Sequence, residues 1–279
     1  MSERFSVALQ HLLPKQALTA LAGRMAWWQG GAMTTAFIRW FVARYRVDMN
    51  EAANSDVASY ASFNAFFTRA LRPGTRPLAD SAFISPVDGA ISQIGPIAGD
   101  QIFQAKGHAY SSTALLGGDA ALAARFNDGL FATIYLSPRD YHRIHMPCDG
   151  QLQHMTHVPG SLYSVNPTTA RGVPGLFARN ERVVCMFDTP LGAMALVLVG
   201  ATIVGSMATV WHGQVNPPRS GQIRSWDYPQ GATSLSQGDE MGRFQLGSTV
   251  VLLLQRGALQ WNPSLTATIP VRMGQSLLA

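Results

Sequence analysis

Charged residues are scarce in this chain. Asp, Glu, Lys and Arg make up 13% of its 279 residues, compared with about 25% in a typical soluble domain. Lysine is the rarest of them, because 19 of the 21 basic residues are arginines and the others are Lys15 and Lys106. Hydrophobic residues make up 47%, which excludes a mainly disordered protein because disordered chains lack core-forming residues. The length predicts one large domain or two small ones.

Cysteine is nearly absent as well. Cys148 and Cys185 have no CxxC spacing, and two cysteines are too few for a disulfide scaffold or a structural zinc site. The N-terminus lacks the pattern of a secretory signal peptide, because Glu3 and Arg4 come early and Pro14 ends the first apolar stretch. These absences predict a protein of the reducing cytoplasm.

Positive charge exceeds negative charge, with a formal net charge of +5. This balance favours an anionic partner, which is either nucleic acid or an anionic membrane surface. A GC-rich genome would produce the same excess of arginine over lysine. The basic residues are scattered, and no RRM, KH or helix-turn-helix pattern is present, so a nucleic-acid binder is disfavoured.

Residues 5–47 have the apolar spacing of amphipathic helices, interrupted at Gly30 and Gly31. This segment carries three of the six tryptophans together with several arginines, a combination typical of helices at a membrane interface. The alternative is a helical cap packed on the protein's own core. The uncharged stretch 25–38 is too short to span a bilayer, which needs about 20 residues.

A further short amphipathic helix is predicted over 60–72. From about residue 80 the pattern changes to short β-type runs separated by Gly, Pro and Asp, with a helix predicted at 112–126. The sequence therefore predicts an α+β fold, in which N-terminal amphipathic helices precede a β-rich body. The clearest predicted strands are Gly89–Ile94, Leu130–Leu136, Arg182–Phe187 and Thr249–Leu254.

The apolar stretch Leu191–Val210 is long enough for a transmembrane helix. Valine and isoleucine dominate it, however, and three glycines interrupt it, which favours β-structure over a helix. We therefore predict two buried strands, Ala193–Val199 and Thr202–Val210, which meet at Gly200.

Two local groups suggest acid–base chemistry. His142 and His145 lie three residues apart before Pro147, and histidine titrates near neutral pH. Metal binding is an alternative, but neither an HExxH context nor a third ligand accompanies them. The second group is the run 85–89, in which Asp88 precedes a glycine. Such a pair is common in simple turns.

The third group is the Gly247-Ser248 pair, which leads directly into a predicted buried strand. Glycine permits unusual backbone angles and a close approach to its carbonyl carbon. The hydroxyl of Ser248 follows that carbonyl by one residue, where it could attack its own peptide bond. The GxSxG pattern of α/β-hydrolases is absent around Ser248.

Together, these groups resemble the bacterial membrane-associated phosphatidylserine decarboxylases of the pyruvoyl-dependent type. The Leu-Gly-Ser-Thr tetrapeptide is highly specific, and the other blocks follow in the family's order. The tail 255–279 carries no such likeness. The matching blocks are SPVDG at 85–89, YLSPRDYHRIHMPCDG at 135–150, VPGSLYSVN at 158–166, LFARNERV at 176–183, VGATIVGS at 199–206 and EMGRFQLGSTV at 240–250.

The resemblance implies a proenzyme that cuts itself between Gly247 and Ser248 into chains 1–247 and 248–279. The Ser248 hydroxyl would attack the Gly247 carbonyl to form an ester, and elimination would leave dehydroalanine. Hydration and loss of ammonia would then give a pyruvoyl group at the start of the small chain. The implied cofactor is this covalent pyruvoyl group, and no metal is implied.

The resemblance also implies roles for individual residues. His145 is the base that activates Ser248, and Asp88 is the carboxylate that orients the imidazole. The pyruvoyl group would form a Schiff base with phosphatidylserine and act as the electron sink for its decarboxylation to phosphatidylethanolamine. His142 is the candidate acid that protonates the substrate carbon, and Ser164 is a candidate substrate contact.

Two neighbours of these histidines, Asp140 and Tyr141, either support the site or are purely structural. The resemblance alone does not distinguish these two roles.

A diacyl lipid substrate implies work at a membrane surface, since each buried methylene favours the bilayer by about 0.8 kcal/mol. Residues 1–75 are then the expected helical membrane-docking region and 76–279 the catalytic domain. We expect peripheral attachment to the anionic cytoplasmic face of the bacterial inner membrane. The oligomeric state stays open, a homo-oligomer included.

Two other functions are compatible with parts of the pattern. A conventional hydrolase would use Ser248, His145 and Asp88 on an external substrate and would keep the chain intact. A non-catalytic membrane adaptor would use only the segment 5–47. Self-cleavage separates both from the decarboxylase.

Overall fold

The structure, a computed structural model, describes residues 15–202, 206–217, 219–245, 248–257 and 259–279, without the side chains of Gln16 and Ser248. Gly247 and the predicted helical segment 5–14 lie outside the described residues. The helices are α1 (Lys15–Trp27), α2 (Ala32–Tyr45), α3 (Phe63–Phe67), α4 (Ser112–Leu115), α5 (Ala120–Ala124), α6 (Pro167–Gly172) and α7 (Leu176–Arg179), with 3-10 turns at Met49–Glu51 and Val57–Ser59.

The strands all follow the 3-10 turns, as the α+β prediction requires. They are β1 (Gly89–Pro96), β2 (Gln101–Ala105), β3 (His108–Ser111), β4 (Leu130–Leu136), β5 (Arg143–His145), β6 (Gly150–Val158), β7 (Arg182–Thr189), β8 (Gly192–Val199), β9 (Met207–Thr209), β10 (Gly213–Asn216), β11 (Arg224–Asp227), β12 (Ser234–Leu235), β13 (Glu240–Phe244), β14 (Ser248–Leu254) and β15 (Pro270–Val271).

Nine of these strands form one antiparallel sheet within the described residues. Its order is β11-β6-β7-β8-β14-β4-β1-β15, with β12 also paired to β6. A smaller sheet has the order β10-β9-β13-β5, and β2 pairs with β3. The strand β5 therefore brings His145 out of the large sheet and into the small one.

The strand β14 lies in the middle of the large sheet, paired with β8 on one side and β4 on the other. Val251 packs in the hydrophobic cluster on one face of the sheet, while Val250 and Leu252 pack in the cluster on the other. Burial on both faces explains the unbroken run of valine and leucine, because every described side chain of the strand, from Thr249 to Leu254, is buried.

The N-terminal helices pack on one face of this sheet rather than forming a separate core. Ile38 and Phe41 of α2 and Phe63 of α3 belong to the same cluster as Val251 of β14. The helix break predicted at Gly30 is confirmed, because α1 ends at Trp27 and α2 begins at Ala32.

The helix predicted over 60–72 is shorter than expected. Ser62 caps α3 by accepting a hydrogen bond from the Ala65 N–H at 3.2 Å. The hydroxyl of Thr68 donates to the Asn64 carbonyl at 2.9 Å, where the chain leaves the helix. The prediction extended the helix too far because the apolar spacing continues past Ser62 and Thr68, the two polar residues at which the helix begins and ends.

The single helix predicted at 112–126 is wrong. Gly117 and Gly118 adopt φ angles of 89° and 98° and divide the segment into α4 and α5. Left-handed backbone at two successive residues is incompatible with a continuous right-handed helix.

The stretch Leu191–Val210 forms strands, which confirms the β prediction against the transmembrane one. The first strand, β8, begins one residue before its predicted start. The second, β9, spans only Met207–Thr209, and residues 203–205 lie outside the described part of the chain. Among the described helices, none combines the length and the apolar character needed to cross a bilayer.

Candidate active site

Asp88 lies immediately before β1, buried to 7% exposure. Its Oδ1 accepts hydrogen bonds from Arg76 Nε at 2.9 Å and from the backbone N–H of Met273 at 2.9 Å. The Arg76 Nη2 donates to Oδ2. The carboxylate is thus held in a fork by one guanidinium and fixed by the C-terminal tail, to which the sequence assigned no role.

Arg76 joins Asp88 to the N-terminal region. Its Nη2 also contacts Glu51 Oε2 at 2.7 Å, and Glu51 contacts Arg272 at 3.1 Å. Hydrogen bonding to Arg76 lowers the pKa of the Glu51 carboxyl. Hydrogen bonding to Asp88 raises the pKa of the Arg76 guanidinium above its usual range. The lowered pKa keeps the Glu51 carboxyl charged at neutral pH, and the same guanidinium pairs with Asp88.

His145 is held by two partners, neither of which is Asp88. Its Nδ1 lies 2.8 Å from the Gly238 carbonyl oxygen and its Nε2 lies 3.0 Å from the Tyr141 hydroxyl. Because a carbonyl only accepts hydrogen bonds, Nδ1 carries the proton and Nε2 accepts one from Tyr141. Burial lowers the pKa of His145, with the charge of Asp88 acting in the opposite direction.

Tyr141 therefore occupies the one basic nitrogen of His145. Burial raises the pKa of Tyr141 to about 12, so its hydroxyl keeps its proton at neutral pH. Any proton that reaches Nε2 in this arrangement comes through the Tyr141 hydroxyl, which favours a supporting role over a purely structural one.

His142 is fully buried, with its ring 4.0 Å from that of Phe67. Its Nδ1 donates to the Asp140 carbonyl at 2.7 Å, while its Nε2 has no hydrogen-bond partner among the described residues. Burial lowers the pKa of His142 to about 3. The imidazole is therefore neutral at pH 7, with an unused acceptor at Nε2.

The backbone of Ser248 begins β14 and lies opposite Leu136 at the end of β4. The chain turns directly after Leu136, and Asp140 closes this turn by accepting from the Ser137 N–H at 2.6 Å. His142 and His145 follow the turn. The turn therefore starts next to the first residue of β14, while Gly247 and the Ser248 side chain lie outside the description.

A cleft of about 930 Å³ borders this region, and Asp88, Tyr141 and Asp140 line it. Ser164 lies beside the cleft rather than in its wall, and its hydroxyl accepts from the Asn166 amide at 2.9 Å. Two of its neighbours, Val165 and Pro167, do line the cleft. Of the predicted catalytic and substrate-binding residues, Asp88 belongs to the described wall of the cleft, whereas His142, His145 and Ser164 do not.

Comparison with known proteins decides the family. The pattern of the family described as "Phosphatidylserine decarboxylase" matches residues 63–279, and one described as "PSD" matches residues 5–46. A phosphatidylserine decarboxylase proenzyme of Acidovorax ebreus is 74% identical, covering 99% of this chain and 98% of its own. Proenzymes of the same name from Delftia acidovorans and Dechloromonas aromatica are 68% and 63% identical over 99% of the chain.

The chain belongs to the phosphatidylserine decarboxylase family. This confirms the resemblance on which the sequence-based prediction rests, as well as the assignment to a class of self-processing enzymes. The expectation that the tail 255–279 carries no likeness is wrong, because the family pattern extends to residue 279.

The sequence analysis missed Arg76 and left the role of Tyr141 open. Arg76 stands in a Pro- and Gly-containing loop without periodicity, so nothing in its surroundings predicted contact with Asp88. Tyr141 adjoins the histidine pair, and its spacing of four from His145 was the available signal.

Proposed function

We propose that this chain cuts itself between Gly247 and Ser248 and then decarboxylates phosphatidylserine to phosphatidylethanolamine. The observation that carries this proposal is the position of Ser248 at the first residue of the central strand β14, beside the turn that leads to His142 and His145. The names of the relatives, which are decarboxylase proenzymes, support it.

In the cleavage step, the Ser248 oxygen attacks the Gly247 carbonyl carbon and loses its proton. The neutral Nε2 of His145 receives this proton through the Tyr141 hydroxyl. It returns a proton to the Ser248 nitrogen as the C–N bond breaks, which gives an ester and a free amine. Asp88 stabilises the positive imidazolium electrostatically, without the direct hydrogen bond of a hydrolase triad. Arg76 holds Asp88 for this task.

Thr249, which follows position 248, and His142 have hydrogen-bonding capacity left for a newly formed pyruvoyl group. The Thr249 hydroxyl and the Nε2 of His142 are buried and have no hydrogen-bond partner among the described residues, which leaves polar capacity for a new group. When formed, a pyruvoyl group supplies a ketone that accepts the substrate amine and takes up electrons as carbon dioxide leaves.

The substrate amine arrives as an ammonium ion and must lose a proton before it can react. His142 Nε2 is neutral and has no partner among the described residues, so it can take such a proton transiently. Because burial lowers its pKa to about 3, the protonated ring readily gives the proton up again. The same nitrogen can return the proton to the substrate carbon after carbon dioxide has left. This gives His142 the acid role predicted from the sequence, with the proton delivered by the substrate.

Replacing His142 with glutamine is expected to leave self-cleavage intact and to lower kcat by about 10²–10⁴-fold, the usual contribution of a general acid–base group. A denaturing gel measures the first effect and carbon dioxide release from phosphatidylserine measures the second. Turnover at the parent rate would remove His142 from proton transfer.

Self-cleavage is expected to be independent of pH from 8 down to 6.5 and to slow at lower pH. The reason is that burial lowers the pKa of His145, so the base stays neutral until the pH falls below the ordinary histidine pKa of about 6.5. Quenched time courses on denaturing gels measure the rate. A half-maximal rate at or above pH 6.5 would contradict this assignment.

The proposed attachment to the membrane is peripheral, through the first two helices. Large apolar side chains remain exposed on this region although the rest of it packs on the core, and a concentration of exposed apolar side chains is typical of an interaction surface. The arginines among them suit an anionic leaflet, here the cytoplasmic face of the inner membrane. The exposed residues are Leu18, Leu21, Met25, Trp27, Trp28, Met33, Phe37 and Trp40.

Replacing Met33 and Trp40 together with serine is expected to weaken binding to anionic vesicles by at least tenfold, because each large apolar side chain contributes about 1.5–3 kcal/mol when buried. Sedimentation with phosphatidylglycerol vesicles measures the affinity. Ile223→Ser is the control, since Ile223 is a large apolar residue that is also more than half exposed and lies outside this region. Equal losses in both variants would exclude α2 as the docking element.

Intact mass spectrometry of the purified chain tests the proposed function most directly. We expect two species, corresponding to 1–247 and to 248–279 with its first residue converted to pyruvoyl. A conventional hydrolase or a membrane adaptor would give one species at 30.1 kDa and thereby overturn the proposal.

A further inference from the structure

Strained backbone is concentrated around the cleft. Among the described residues, the non-glycine positions with positive φ are Arg46, Lys106, Asp128 and Thr268, and all but Asp128 line this cavity. Side chains disfavour this left-handed region, so such positions persist where a particular side chain has a use. Two of the three carry a positive charge.

Arg46 caps the C-terminus of α2 with φ 57°, at a position where glycine or asparagine is the usual choice. Its side chain is exposed and forms no hydrogen bond or ion pair with the described residues. The same helix carries the exposed Met33 and Trp40. Arg46 therefore lies where the proposed docking helix meets the mouth of the cleft.

Lys106 occupies the two-residue turn between β2 and β3, because Ala105 pairs with His108 across it. Lys106 and Gly107 have φ angles of 48° and 76°. Such turns favour Asn-Gly, since both positions need positive φ. A lysine stands there instead, and it is one of only two in the chain.

The acidic residues in the wall of the cleft are already engaged. Arg76 binds Asp88 and Glu51, and Asp140 accepts from the Ser137 N–H. The remaining acid of this wall is Asp48, which caps a 3-10 turn by accepting a hydrogen bond from the Asn50 N–H at 2.9 Å. The positive charge contributed by Arg46 is therefore available to an incoming anion.

We propose that Arg46 and Lys106 form an anion site at the cleft mouth that binds the phosphodiester of the phospholipid headgroup. The inference rests on the proposed function. The reacting amine and carboxylate must lie deep, near His142, while the acyl chains stay at the membrane beside α2. The phosphodiester joins these two parts, so it lies at the level of the cleft mouth, where guanidinium and ammonium groups suit it.

The test uses a short-chain phosphatidylserine below its micelle concentration, so that membrane docking does not affect the kinetics. Arg46→Asn and Lys106→Asn each remove the charge and supply a residue that tolerates positive φ. We expect complete self-cleavage, unchanged or higher Tm, kcat within twofold of the parent, and a KM raised about tenfold in each variant. Arg39→Asn, an exposed arginine on α2, is the matched control.

Glycerophosphoserine should compete with this substrate for the parent enzyme. Its affinity for the Arg46→Asn variant should be about tenfold lower than its affinity for the parent. Inorganic phosphate that competes equally well would assign the site to free phosphate and overturn the headgroup assignment. An unchanged KM in both variants, or a loss confined to kcat, would also overturn it. Failure of the parent chain to cleave would instead refute the proposed function, so the two failures are distinguishable.

Discussion

Ser248→Ala is expected to leave the chain uncut and without any decarboxylase activity. Alanine removes the attacking oxygen and, with it, the only source of the proposed pyruvoyl group, so the loss is complete rather than partial. Folding should survive, because position 248 pairs through its backbone with Leu136 and alanine keeps that pairing.

A denaturing gel and intact mass spectrometry measure this outcome, and a thermal melt confirms folding. Ser236→Ala provides the control, since Ser236 is exposed on the surface and should cleave at the parent rate. Two fragments from Ser248→Ala would show that cleavage uses another nucleophile and would refute the proposal.

Asp88→Asn is expected to slow self-cleavage by about 10²–10⁴-fold, the usual contribution of a general base, because His145 acts as the base only when its protonated form is stabilised. The amide oxygen can still accept from the Met273 N–H and from Arg76 Nε, while Arg76 Nη2, which loses its acceptor on residue 88, keeps its bond to Glu51. What is lost is the negative charge that stabilises protonated His145. Asp188→Asn is the control, because Asp188 forms an exposed ion pair with Arg125.

Arg76 provides the companion to this experiment. Arg76→Met leaves Asp88 and Glu51 without their shared cation, and an unpaired buried charge of this kind costs about 3–5 kcal/mol. Arg76→Lys keeps the charge but loses the fork that holds both oxygens. We expect both variants to cleave more slowly than the parent, and we expect Arg76→Met to lose more Tm than Arg76→Lys. Parent-like cleavage in Arg76→Met would separate Arg76 from the function of Asp88.

The central strands could be predicted from the sequence because their chemistry is local. The strand β4 spans Leu130–Leu136 as predicted, and β14 begins one residue before its predicted start. A strand buried on both faces needs a continuous run of branched and apolar residues, and such a run is visible without knowledge of its neighbours.

The surroundings of the two histidines could not be predicted in this way. The partner of His145 Nδ1 is the backbone carbonyl of Gly238, which lies 93 residues further along the chain. Backbone acceptors exist at every residue, so they leave no signal in a sequence. The resemblance implied that Asp88 orients His145, whereas the structure gives Asp88 direct bonds to Arg76 and Met273.

The position of β14 has a consequence for the lifetime of the enzyme. Once the bond before Ser248 is cut, the central strand and the Met273 amide that holds Asp88 belong to the 32-residue chain 248–279. Each chain then carries only part of the active site, and the other chain supplies the rest. Unfolding separates two molecules, so recovery depends on their concentration. The uncut precursor refolds as one chain, but the mature enzyme, diluted while unfolded, should stay inactive.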